Sequence, residues 1–282
     1  MYEFIYKVPS DMEEGLTGLL VENDISSFYF ELCRGESLLN IFLDTDEPLK
    51  FIDESLLQSV KEVDQKSWSR AWGENYTGHE LTNEIFVLPS GVDPPAKRYK
   101  TVIEVDPFDS FGDGHHPTTR LCGQLLEHVI SDFTANSGKA GISMLDVGTG
   151  SGILSIAAWT MGVRDIDLFD YEPVAVEKAE KNLKLNHVEG PVPHVADIYS
   201  YRTEKKYDVV TANLLSRIIE DNIGLLVSLL KPGGKLILSG INTLWTDGMK
   251  KLFAGKNLEI KEHKIIDEWN GFVLIRAHSK TL

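Results

Sequence analysis

The stretch Met144-Leu145-Asp146-Val147-Gly148-Thr149-Gly150-Ser151-Gly152-Ile153-Leu154 decides the reading of this chain. An apolar run ends in an acid, three glycines follow at alternate positions, and an amphipathic segment begins. That order spells a strand, a tight turn and a helix start. Glycines in such a turn let a ligand touch bare backbone, and the helix N-terminus beyond favours polar or anionic groups. The spacing narrows the ligand. In the dinucleotide fingerprint G-x-G-x-x-G the last glycine would fall on Ile153 counted from Gly148, or on Ser155 counted from Gly150. Both positions fail. No Gly-Lys-Ser/Thr follows, so the P-loop fails too. A G-x-G-x-G turn remains, and by itself it also fits a turn that only packs strand on helix.

Outward from this turn, residues from about 111 onward alternate strand and helix, the pattern of a parallel sheet covered on both faces. Expected strands are Ser143 to Val147, Asp165 to Asp170, Val192 to Val195, Tyr207 to Ala212, Lys235 to Leu238, Leu258 to Lys264 and Gly271 to Ala277. Expected helices are Leu154 to Met161, Pro173 to Asn186, Ser216 to Leu230 and Thr243 to Ala254. Residues 1–63 read as a separate small α+β unit. It has strands at Phe4 to Val8, Ser27 to Leu32 and Leu38 to Leu43, and helices at Ser10 to Asn23 and Ile52 to Val63. Ser10 and Glu13 have capping-box spacing. This order points to a ferredoxin-like arrangement. Residues 64–110 read as a linker, with Trp68, Trp72, the breaker-rich Pro89 to Pro95 and a strand at Thr101 to Val105. The division expected is therefore 1–63, 64–110 and 111–282.

A chain of 282 residues fits one large domain or two. No apolar run reaches the about 18 residues that a membrane span needs, and no secretory signal is visible near Met1. Cys33 and Cys122 are the only cysteines, which points to a reducing cytoplasm rather than a disulfide framework. The net charge of −15 repels a polyanion, so nucleic acid is not expected as a direct partner and a basic protein suits the field better. Acidity that serves only solubility gives the same number.

Three further groups carry chemistry. Asp170 closes the next strand, about 20 residues beyond the turn, where a carboxylate can accept hydrogen bonds from a ribose diol. It can equally cap the helix that begins at Glu172-Pro173. Asn213, in Ala212-Asn213-Leu214-Leu215, ends a strand at the same crevice. Its amide can hold an amine without adding charge, though a lone Asn also serves as a cap. Phe111-Gly112-Asp113-Gly114-His115-His116-Pro117-Thr118-Thr119 precedes a helix start. No Cys/His cluster elsewhere completes a metal site with its Asp and adjacent histidines, so no metal is expected. It reads as a loop closing over a cofactor, with the Thr119 hydroxyl as a polar contact.

In series, this loop, the run Asp146 to Leu154, the Ala212 to Leu215 segment and Ser239-Gly240-Ile241 resemble the bacterial ribosomal protein L11 methyltransferases, as do Trp68 and Trp72. The resemblance implies a Rossmann-like seven-stranded methyltransferase domain of α/β class. The small α+β (ferredoxin-like) N-terminal domain before it would recognise the substrate. It implies methyl transfer from S-adenosylmethionine to lysine and N-terminal amino groups of one large-subunit ribosomal protein, in the cytoplasm, by a monomer. Carried over by motif, Thr119, Gly148, Asp170 and Asn213 would contact the cofactor, and Asn213 would also lie beside the amine. Candidate bases by location are Asp113, His115 and His116, with solvent as the alternative. The chain departs from the family pattern at Asp113, where Thr is usual, at Pro107-Phe108-Asp109-Ser110, and at Tyr171-Glu172. Competing readings are a methyltransferase of this scaffold acting on another protein or a small amine, and a non-catalytic protein that kept the cofactor pocket.

Overall fold

The structure, a computed structural model, describes residues 2–9, 12–23, 25, 28–33, 36–43, 45–62, 78–106, 114–137 and 141–277. Trp68, Trp72, Phe111, Gly112, Asp113 and the Ser10 cap lie outside the described residues. The chain divides into two compact units, Met1–Asn75 and Tyr76–Leu282.

In the first unit, β1 (Tyr2–Val8) is followed by α1 (Glu13–Glu22), β2 (Phe28–Cys33), β3 (Glu36–Leu43) and β4 (Leu57–Glu62). The sheet order is β2-β3-β1-β4 and every pairing is antiparallel. Alternation on β1 sends Phe4, Tyr6 and Val8 inward, against Leu16 and Leu20 of α1 and Leu39 and Ile41 of β3. The helix expected at Ile52 to Val63 is not there. A 3₁₀ turn, Glu54–Leu56, is capped by the Asp53 carboxylate, which accepts the Ser55 N–H at 2.9 Å, and β4 follows. Ile52, Leu56 and Val60 have helical spacing, but the outer edge of β1 needs partners for its backbone groups. Pairing Ser59 with Ile5 and Lys61 with Glu3 supplies them. Tertiary demand overrides local periodicity here.

The second unit opens with β5 (His79–Glu80), β6 (Ile85–Pro89) and β7 (Thr101–Val105), a three-stranded sheet. Of these, β7 is the strand expected within 64–110, and β5 and β6 are strands that the sequence reading did not place there. Leu81, Ile85, Val87, Ile103 and Val105 share one core with Met144, Ile153 and Val209. The run Ile85-Phe86-Val87-Leu88 is buried on both sides, so it lacks the alternation that betrays a strand. A long helix, α2 (Pro117–Ser137), whose start alone is legible in the sequence, leads to β8 (Ser143–Val147).

From there the chain runs through α3 (Ile153–Thr160), β9 (Asp165–Asp170), α4 (Pro173–Leu185), β10 (His194–Val195), β11 (Tyr207–Asn213), α5 (Ser216–Ser228), β12 (Leu230–Asn242), α6 (Thr246–Gly255), β13 (Leu258–Ile266) and β14 (Trp269–Arg276). All seven expected strands and all four expected helices are present; β8 and β9 have the expected bounds and the others are shifted. β10 shortens to two residues, and β12 is extended at both ends. The seven-stranded sheet has the order β10-β9-β8-β11-β12-β14-β13. It is mixed rather than parallel: β14 runs antiparallel to both β12 and β13. Only Asp267 and Glu268 separate Ile266 from its partner Trp269, and Asp267 adopts φ +53°. A two-residue connection can join only antiparallel strands.

Alternation splits each central strand between two cores. Met144 and Val209 pack toward α2 and α3, whereas Leu145, Val147, Val210 and Ala212 pack toward α5 and α6. Phe272 is fully buried among these, edge-on to Phe253 at 5.3 Å and stacked on His263 at 4.3 Å. Replacing Phe272 by Ala is expected to lower the unfolding free energy by about 3–5 kcal/mol, read by urea unfolding.

Candidate functional site

Strands β8, β9, β10, β11 and β12 end on one edge of the sheet, and the turns beyond them build the site. Beyond β8, Gly148, Gly150 and Gly152 all have positive φ (67°, 54° and 77°). The N–H groups of Gly148 and Thr149 both donate to the Phe169 carbonyl of β9 at 3.0 Å. A Cβ on Gly148 would lie 2.5 Å from Leu214 Cδ2, and one on Gly152 would lie 3.2 Å from Ala179 Cβ. Around Gly150 a Cβ would meet nothing within 4 Å, so the turn is packed at both ends and open in the middle.

Beneath it lies Asp146, only 1% exposed. Its Oδ2 accepts the hydroxyls of Thr149 at 2.7 Å and Ser155 at 2.8 Å, and its Oδ1 accepts the Thr211 hydroxyl at 2.7 Å. Burial pushes this carboxyl above the usual range. The three hydroxyls pull the other way, and the neighbouring Asp170 charge adds to the rise. Burial also pushes the Cys122 thiol up, so Cys122 is a packing residue and not a nucleophile.

Asp170 performs two tasks at once. Its Oδ2 accepts the Gly150 N–H at 2.9 Å, across 20 residues of sequence, and its Oδ1 accepts the Glu172 N–H at 3.1 Å. Glu172 is itself the N-cap of α4, so the second bond closes a local turn before the helix rather than capping it. Thr119, in the first turn of α2, and Asn213, the last residue of β11, also meet: Asn213 Nδ2 donates to Thr119 Oγ1 at 3.3 Å. Asn213 is held in place by its pairing with Ser239. Leu214, the next residue, fills the slot between Gly148 and Gly240, where a Cβ on Gly240 would lie 2.1 Å from the Leu214 carbonyl oxygen. Of the four residues singled out in the sequence, Asn213 and Thr119 are hydrogen-bonded to each other, Gly148 packs against Leu214 beside Asn213, and Asp170 bonds to Gly150.

His115 and His116 face different neighbours. The His115 ring meets His79 edge-on at 5.2 Å, while His116 meets Trp269 at 5.0 Å and its Nδ1 lies 2.8 Å from the Thr118 hydroxyl. Both are exposed at the start of α2.

Sequence reasoning passed over two acids. Asp146 was legible as the acid before the turn, with hydroxyl residues three and nine positions later. Asp197 lies two residues beyond β10, whose neighbour β9 ends at Asp170. The Ala196 N–H bonds the Asp170 carbonyl at 2.8 Å, which sets Asp197 beside that strand end, and its Oδ1 accepts the Tyr199 N–H at 2.9 Å.

Residues 14–277 match the family described as Ribosomal protein L11 methyltransferase (PrmA). The chain belongs to the ribosomal protein L11 methyltransferase family. It is 35% identical over 219 residues to the ribosomal protein L11 methyltransferase of Geobacillus kaustophilus, covering 77% of this chain and 68% of that protein. With the same-named protein of Bacillus licheniformis it shares 31% identity over 274 residues, 95% of this chain and 84% of the relative. A crystal structure of a ribosomal protein L11 methylase from Lactobacillus delbrueckii subsp. bulgaricus superposes with a TM-score of 0.63 at 28% identity, covering 72% of this chain and all of that one. Membership of the L11 methyltransferase family makes the protein an enzyme, and of the motifs that carry the family resemblance, Asp146 to Leu154, Ala212 to Leu215 and Ser239 to Ile241 lie on the edge just described.

Asp146 gives this site of the L11 methyltransferase fold a pH signature. Its folded-state pKa lies above the unfolded value of about 3.9, so the folded state binds the proton more tightly. Its contribution to stability therefore falls as pH rises from about 4 through the raised value. Asp146→Asn cannot titrate, so its unfolding free energy relative to wild type should improve with rising pH across that window. Urea unfolding from pH 4 to 8 reads this directly.

Proposed function

We propose that the protein transfers methyl groups from S-adenosylmethionine to lysine and N-terminal amino groups of ribosomal protein L11. The observation that carries this reading is the meeting of an open glycine turn, the Asp170 carboxylate and the Thr119–Asn213 pair on one edge of one sheet. The residues fit the cofactor: the space around Gly150 admits a ligand to bare backbone, and Asp170 presents a carboxylate there. In this reading Gly148 contributes backbone, Asp170 takes the ribose hydroxyls, and Thr119 and Asn213 contact the reactive end.

S-adenosylmethionine supplies a methyl group already activated by its sulfonium charge. What remains for the protein is positioning and desolvation. Asn213 has one amide hydrogen engaged by Thr119, which orients its Oδ1 to accept an N–H from the incoming amine and leaves the amine lone pair free. A lysine, with a free pKa of about 10.4, arrives protonated. Burial against Leu214 and its neighbours would lower that value, the proton would leave to solvent, His115 or His116, and the neutral amine would then take the methyl group as its S–C bond breaks, with the thioether S-adenosylhomocysteine as the leaving group.

The N-terminal unit is read as the substrate-recognition domain, a ferredoxin-like arrangement in which a 3₁₀ turn replaces the second helix. The net charge of −15 suits a basic ribosomal protein and disfavours direct nucleic-acid binding. Among the described residues no helix is long and apolar enough to cross a membrane. A monomer working in the cytoplasm completes the proposal.

Mass spectrometry tests the reaction. Ribosomal protein L11 incubated with S-adenosylmethionine and the protein should gain whole methyl increments on lysine and N-terminal amines, and unmodified L11 would overturn the assignment. Asp170→Ala should weaken S-adenosylmethionine binding by about tenfold or more, the effect of losing a charge-assisted hydrogen-bond partner. Asn213→Ala should lower kcat by about a hundredfold with a smaller change in cofactor affinity. Isothermal titration and initial rates separate the two.

A further inference from the structure

On α4, Ala179, Asn182 and Leu183 are buried and Asn186 is partly buried. Ala179 packs under Gly152 of the turn. Asn182, fully buried, donates from Nδ2 to the Ser151 carbonyl at 2.9 Å and accepts the Asp106 N–H on Oδ1 at 2.9 Å. Asn186, one helical turn on, accepts the Glu104 N–H at 2.9 Å and donates to the Glu104 carbonyl at 2.7 Å. It also donates to the Asn182 carbonyl at 2.7 Å.

The geometry has a simple origin. β7 is the edge of its three-stranded sheet, so the backbone groups on its far side need partners. Residues i and i+4 on a helix are about 6 Å apart along the axis. Residues i and i+2 on a strand are about 6.7 Å apart. Two asparagines at this helical spacing can therefore address Glu104 and Asp106 together. Asn186 bonds the N–H and carbonyl of Glu104 and the carbonyl of Asn182, so it covers the edge and its own helix without reaching the turn. Asn182 differs, because one arm reaches the glycine turn. The Asn182 amide offers a donor to the Ser151 carbonyl and an acceptor to the Asp106 N–H at once.

We propose that Asn182 is a positioning residue for cofactor binding, tying the Ser151 peptide of the glycine turn to the end of β7, where the chain departs for the Gly114–Thr119 segment. The turn has three left-handed glycines and would otherwise have several orientations open to it. With the Ser151 carbonyl held by Asn182 and the Gly150 N–H held by Asp170, the peptides between them are fixed before any ligand arrives. The inference rests on the proposed S-adenosylmethionine site.

Three variants test it. Asn182→Asp keeps the acceptor for Asp106 but sets a carboxylate oxygen against the Ser151 carbonyl. Asn182→Ala removes both arms. Asn186→Ala removes edge cover without touching the turn. Isothermal titration with S-adenosylmethionine should show the dissociation constant raised about tenfold in both Asn182 variants and within twofold of wild type in Asn186→Ala. Thermal unfolding should show Asn186→Ala destabilised to a degree comparable with Asn182→Asp. In turnover, Asn182→Asp should raise KM for the cofactor with kcat nearly unchanged. If Asn182→Asp binds within twofold of wild type, or if Asn186→Ala weakens binding as much, Asn182 only fastens α4 to β7 and the proposal fails. Wild-type protein that binds no S-adenosylmethionine would instead overturn the proposed function, so the two failures are distinct.

Discussion

A carboxylate taken out of water has either to be surrounded by donors or to give up its charge. Asp146 sits one residue before the end of β8 with three hydroxyls around it, and each belongs to a different element. Thr149 comes from the glycine turn, Ser155 from the first helical turn beyond it, and Thr211 from the neighbouring strand β11. Satisfying one buried group therefore orients the turn, the start of α3 and the register of β8 against β11 together. Gly148 and Gly150 flank Thr149, and Asn213 lies two residues beyond Thr211 at the end of the same strand.

Close packing carries this order sideways. Leu214 occupies the space that side chains at Gly148 and Gly240 would claim. The turn after β8, the end of β11 and the irregular stretch of β12 can approach one another only because two of the three lack a Cβ. Asn213 is consequently held at a set depth in the crevice, within reach of Thr119 on α2. On the opposite side Asp170 and Asn182 hold the same turn by its Gly150 N–H and its Ser151 carbonyl. The backbone of the turn is thus gripped from β9, α4 and β11, while the space beside Gly150 stays open.

The strongly patterned parts of this architecture were legible before any coordinates. Strand, glycine turn and helix at 144–154, the acid at 170 and the alternation beyond it all rest on local periodicity and spacing, which backbone geometry imposes wherever the chain folds. Where periodicity misled, a neighbour's needs had won. Ile52 to Val63 has helical spacing, yet its second half is a strand because β1 has an edge to fill. Ile85 to Leu88 has no alternation, yet it is a strand buried on both faces. The length of α2 was missed for a related reason: its Gly123 sits close against Leu81, and Cys122, Leu125, Leu126 and Val129 pack inward, so its meaning depends on what it covers.

The sequence by itself determined the chemistry available and the order in which it arrives: bare backbone, then an acid, then an amide, each at the carboxyl end of an apolar strand. Those features are local, because a left-handed turn needs glycine and a half-buried strand needs its pattern whatever surrounds them. Only the tertiary structure decided which groups meet. Thr119 reaches Asn213 across 94 residues, and Asn182 reaches both Ser151 and Asp106. These pairings follow from sheet order and from the need to satisfy buried polar groups, two properties of the packed whole that no window of sequence contains.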